Sequence, residues 1–147
     1  MRPTNRSRAI VVPLINVGTG LVANFPDQND LRSAMVLGVE TFTSAEQLTS
    51  RDGRSVVSPA DALNLAVTLV DSSDQKVMDV PYQAFNTILN SGQVRTYRDL
   101  VLTWEQCTLR NVAPLSTDTS SALVMVSYAL AGDVIDASGT VYRPSKV

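Results

Sequence analysis

The chain has no histidine, one cysteine and only eight aromatic residues (three Phe, four Tyr, one Trp) among 147. Without histidine it lacks the usual general base, the commonest metal ligand and the group that most often activates a serine or cysteine nucleophile. The lone Cys107 allows no internal disulfide, so the fold must hold by packing alone, as suits a reducing compartment or a particle assembled in one. Charge is also scarce. Asp, Glu, Lys and Arg make up 18% of the chain, below the quarter usual in soluble domains, and the net charge is −2. That balance argues against a surface built as a whole to attract nucleic acid. No apolar run approaches the ~18 residues a membrane helix needs. Pro13, Asn16 and Thr19 interrupt the apolar stretch 9–23, so no cleaved signal is expected there.

Several motifs are missing as well. Neither a P-loop nor a Gly-x-Ser-x-Gly elbow occurs. Gly18-Thr19-Gly20 lacks the third glycine and the strand-turn-helix setting of a dinucleotide fingerprint, and reads as a turn between strands. A pair of carboxylates could still act as in glycosidases, with Asp71, Asp74, Asp79, Asp99, Glu105, Asp133 and Asp136 as candidates. The simpler reading places these acids in turns and at strand ends, where carboxylates solvate well. Asp71-Ser72-Ser73-Asp74 lacks both the spacing and the glutamate of a calcium loop. Cys107, inside a strand segment, reads as a small buried apolar residue, and Trp104 as core. No catalytic, metal or cofactor residue is therefore expected, and no small-molecule substrate.

What is abundant is β-branched. Val, Ile and Thr supply 37 residues, and such side chains lose less in a pleated sheet than in a helix. In residues 63–70, Leu63, Leu65, Val67 and Leu69 alternate with Asn64, Ala66 and Thr68, as in a half-buried strand. Asp71-Ser72-Ser73-Asp74 follows as a turn, and residues 76–80 return to form a hairpin. Leu100, Leu102 and Trp104 alternate with Val101, Thr103 and Glu105, and residues 107–112 continue extended after a bulge or bend. Residues 34–42 and 10–17 are further strands, with Pro13 pushing the latter toward an edge. Residues 123–130 are apolar in both parities, which predicts a strand that is either central in a covered sheet or turned toward a partner. Short helical turns are expected at 45–48 and 59–63, and a helix at 81–89, where Tyr82, Phe85 and Leu89 have helical spacing.

Six to eight short strands predict an all-β antiparallel sandwich, specifically a single jelly roll, with one or two short helices. The expected organisation is a basic arm over residues 1–9 and one sandwich domain over 10–147. Arg2, Arg6 and Arg8 would make the arm's contacts, to a neighbouring subunit or weakly to nucleic acid or membrane.

The pieces Asn24-Phe25-Pro26-Asp27, Leu31-Arg32-Ser33-Ala34, Gly38-Val39-Glu40-Thr41-Phe42, Leu69-Val70-Asp71, Asp79-Val80-Pro81, Asn90-Ser91-Gly92 and Val101-Leu102-Thr103-Trp104 occur in this order over residues 24–112. In order and spacing the chain resembles small jelly-roll capsid and vertex (penton-like) virion proteins of tailless icosahedral bacteriophages. The resemblance implies a non-enzymatic virion component, assembled in the host cytoplasm, whose partners are copies of itself and other capsid proteins. The chain is short for a double jelly roll, which favours a minor or vertex role. The expected contact regions are loops 18–30 and 43–61 and the sheet edges. A carbohydrate-binding or host-adhesion sandwich is the rival reading.

Overall fold

A computed structural model describes residues 2–3, 6–14, 22–50, 53–86, 95–115, 120–130, 132–136 and 140–143. Among these residues the chain forms β1 (Arg2–Pro3), β2 (Arg6–Pro13), β3 (Val22–Asn24), β4 (Met35–Phe42), β5 (Leu65–Val70), β6 (Lys76–Pro81), β7 (Arg95–Leu100), β8 (Thr108–Asn111), β9 (Ser121–Ala129), β10 (Val134–Ile135) and β11 (Val141–Arg143). One helical turn, α1 (Pro59–Ala62), starts at Ser58, whose hydroxyl accepts from Asp61 N–H, with Pro59 in the first turn, where its missing donor is harmless. Single 3-10 turns cover Asn29–Leu31, Tyr82–Phe85 and Trp104–Gln106.

Two four-stranded sheets, ordered β2-β9-β4-β7 and β3-β8-β5-β6, enclose one core, and β1-β11-β10 form a small third sheet. All ladders are antiparallel. The expected all-β antiparallel sandwich is thus observed. The innermost hairpin, β5–β6, is bracketed by β4 with β7, then β3 with β8, then β2 with β9. Ladders β4–β9 and β5–β8 then stitch these nested pairs into the two sheets.

The core follows from period-two alternation. Ile10 and Val12 of β2, Val36 and Val39 of β4, and Val124 and Val126 of β9 point inward from one sheet. Leu65, Val67 and Leu69 of β5 and Leu109 of β8 meet them from the other. Trp104, Tyr82 and Phe85, from two of the 3-10 turns, are the largest side chains fully buried with them. The β5–β6 hairpin closes as expected: Asp71 Oδ1 accepts from Ser73 N–H at 2.9 Å and Gln75 N–H at 3.0 Å, an arrangement that favours a tight turn.

Four local expectations need correction. Leu63 follows α1 and is exposed, so the strand begins at Leu65. The helix expected over 81–89 is a single 3-10 turn followed by extended Asn86, because tertiary bonds capture its ends: Tyr82 O accepts from Thr41 Oγ1, and Asn86 Nδ2 donates to Thr41 O. Residues 87–89 lie outside the described residues. Trp104 sits in a 3-10 turn rather than a strand, and this bend keeps Leu102, Trp104 and Cys107 all facing inward. Residues 6–9, expected in the arm, belong to β2 and pair with Tyr128 to Met125 of β9.

Residues 123–130 form a central strand, since β9 lies between β2 and β4. Pro13 does end an edge strand. The Gly18–Gly20 turn and Asn90-Ser91-Gly92 fall outside the described residues.

Candidate interaction surface

Two of the arginines singled out in the sequence, Arg6 and Arg8, are held by the chain's own acids. Arg6 grips Asp133 with two donors, Nε to Oδ2 at 2.7 Å and Nη2 to Oδ1 at 3.2 Å, and Asp133 Oδ2 also accepts from Leu130 N–H. Arg8 forks onto Asp30, with a third bond to Gln28 Oε1, and its guanidinium lies 5.9 Å from the Tyr128 ring centre. Hydrogen bonding from Arg8 holds the Asp30 carboxyl below the usual carboxylate range. Arg2 is placed in β1, opposite Arg143. Arg6 and Arg8 are turned to different acids and do not form one basic patch, and the side chain of Arg2 lies outside the described set.

The carboxylates considered for catalysis are dispersed. Asp71 builds its turn, Asp74 occupies that turn with φ of 60°, and Asp136 accepts from Thr140 N–H and the Tyr142 hydroxyl. Asp79 lies on β6 beside Thr68, and Glu105 is exposed on the 3-10 turn. Asp99 falls on β7, its side chain outside the described set. Among the described residues no cluster of acids or cysteine is placed to hold a metal. Cys107 is fully buried, and burial pushes its thiol up to about 11, which leaves little thiolate at neutral pH.

A buried polar cluster missed in the sequence joins β4 to the segment after β6. The Tyr82 hydroxyl accepts from Leu123 N–H and donates toward Phe42 O, and burial pushes its acidity far below that of free tyrosine. Glu46 accepts from Thr43 Oγ1 and Asn86 Nδ2. Burial works to raise the Glu46 carboxyl, but these hydrogen bonds outweigh it and hold the group below the ordinary glutamate value of about 4.3. Its stabilisation is therefore complete above the ordinary range and is lost as pH falls through the depressed value. Thermal melts between pH 6 and pH 3 should show a smaller acid-induced drop for Glu46→Gln than for the native chain, and equal drops would refute this role.

The remaining surface of note is the outer side of β2-β9-β4. Residues that alternate with the inward set point away from the core, and the register aligns them in rows: Val11, Leu123 and Phe42 in one, Ala9, Met125 and Glu40 in the next. Leu123 is buried, outside the main core cluster, while Ala9, Val11, Phe42 and Met125 are half-buried. Glu40 is the one charged side chain in these two rows. The clue was present in the sequence, in the apolar residues of both parities in β9, whereas the acids that bind Arg6 and Arg8 were not predictable from spacing.

Comparison with known proteins finds no matching family model, curated protein or solved structure.

Proposed function

We propose that the chain is a virion structural protein, a capsid or vertex (penton-like) component that works by self-assembly. The observation that carries this reading is the apolar outer side of β2-β9-β4, where Val11, Leu123 and Phe42 align across three strands on the face turned away from the core. A second apolar face on a sheet whose first face is already buried suits a subunit that covers it against another chain.

The strand order supports the finer fold assignment. Eight consecutive strands, β2 to β9, are folded as nested pairs into sheets of four, which supports reading the sandwich as a jelly roll, a fold used by viral capsid proteins and also by lectins and cupins. Because the fold hosts several functions, it is the outer face rather than the topology that favours assembly. The proposed partners are further copies of this chain and other capsid proteins, in a virion assembled in the host cytoplasm. With Arg6 and Arg8 matched internally, contact with nucleic acid or membrane is the least supported part of the expected arm function.

The rival carbohydrate-binding or adhesion reading calls for an exposed aromatic platform. Phe25, Tyr82, Phe85 and Trp104 are buried, and Phe42, Tyr128 and Tyr142 are half-buried.

Light scattering behind a sizing column, across concentration and salt, tests the proposal. A discrete symmetric oligomer is expected. A monomer that persists at high concentration and does not join other virion proteins would overturn it.

A further inference from the structure

Strand β2 is bonded on one side only: β9 takes one edge, and among the described residues nothing pairs with the other. The ladder decides which groups face the open side. Leu14 N–H donates to Ser120 O at 3.0 Å, which extends the β2–β9 register by one residue pair. In an antiparallel ladder alternate residues turn both backbone groups to the same neighbour. Val12, Ile10, Arg8 and Arg6 therefore bond β9 together with Leu14. Ser7, Ala9 and Val11 send N–H and C=O outward, and Pro13, next in that series, has no N–H to send.

Edges of this kind are commonly guarded by free charges. Here the two arginines of β2 are already held by Asp133 and Asp30, so they do not protect the edge, and the outward-bonding residues are small and neutral.

We propose that this edge pairs with β2 of a second copy, antiparallel, about a two-fold axis passing through Ala9. The bonding pattern is self-complementary in that register. Ser7 faces Val11 of the second copy, Ala9 faces its own equivalent, and each outward N–H of both strands meets an outward C=O. Sliding the strands by two residues brings Pro13 opposite Ser7 or sets Val11 against residue 5, outside the described residues, and sliding by one sets bonded edges against unbonded positions. The seam carries no unmatched charge, so two copies of the same strand meet without repulsion. Pairing joins the two β2-β9-β4-β7 sheets into one continuous sheet and runs the Ala9-Met125-Glu40 row across both subunits. The inference rests on the assembly reading and names one contact of that assembly.

Cysteine cross-linking of the full chain separates the two. Bonded antiparallel residues hold their Cα atoms about 5.5 Å apart, within the range a disulfide spans. Ala9→Cys should therefore form a disulfide-linked dimer under mild oxidation. Val11→Cys alone should not, because its equivalents lie roughly 13 Å apart along the strand. A mixture of Ser7→Cys and Val11→Cys should cross-link as a heterodimer. Cys107 is buried and does not compete. Circular dichroism confirms that each variant is folded. If Ala9→Cys associates by light scattering but cross-links no better than Val11→Cys, the seam lies elsewhere and the assembly reading survives. If the native chain and the variants all remain monomeric and join no other virion protein, both fall.

Discussion

Trp104→Ala is expected to lose about 3–5 kcal/mol of stability, the usual cost of removing a fully buried large aromatic side chain. Trp104 is 1% exposed and heads the set of largest fully buried side chains. It packs against Phe25 with ring centres 6.3 Å apart and supports the bend that leads from β7 into β8. Alanine there would leave a cavity at the point where the two sheets exchange strands, and a total stability of about 5–15 kcal/mol leaves little in reserve. At roughly 2–4 °C per kcal/mol for a domain of this size, the melting temperature should fall by about 6–20 °C. Trp104→Phe separates packing from polarity. Among the described residues the indole Nε1 has no hydrogen-bond partner, so the phenyl ring loses volume but no bond seen there and should cost clearly less than alanine. Urea unfolding followed by circular dichroism reads both variants, and equal costs would place the effect in the indole nitrogen rather than in packing.

Met125→Lys is expected to leave the subunit folded and to stop assembly beyond the pair joined through β2. Met125 lies on the outer side of the central strand, directly between Ala9 and Glu40. In a separate subunit the new ammonium group would reach water and sit across from the Glu40 carboxylate, a pairing that costs the sheet little. In an assembly the same group would be desolvated within an apolar contact, where a charge lacking a buried partner is costly. Light scattering should show larger native species replaced by dimers, with an unchanged melting profile at low concentration. Assemblies of native size would remove the outer face from the contact set. A collapsed melting profile would mean that Met125 is part of the core.

Period-two patterns made much of the sandwich legible before any coordinates. The β5–β6 hairpin and its Asp71 turn and the edge position of β2 follow from alternation and from proline, while residues of both parities in β9 left its place open between a central strand and one turned toward a partner. Two of the misreadings share a cause: a long-range contact overrode a local pattern. The spacing of Tyr82, Phe85 and Leu89 suggested a helix, but Thr41 and Asn86 fix the segment as a single turn. Arg6 and Arg8 read as a solvated arm because Asp133 and Asp30 are distant in sequence and no periodicity links them. The outer face could be glimpsed in residues 123–130, yet only the registers with β2 and β4 reveal which apolar residues align across strands.

The nesting of strand pairs also sets an order of events in time. Only β5 and β6 can meet early, because they are joined by a short turn, while Arg6 must find Tyr128 across more than a hundred intervening residues. Closing such loops is entropically costly before any contact repays it, which places a sandwich like this among slow folders, on the millisecond-to-second scale. During synthesis β2 leaves the ribosome before the rest of the sandwich and then waits for β9, the last strand of the nest, to emerge. For that interval both of its edges are unpaired, and a neighbouring nascent chain offers the same ladder as its own β9.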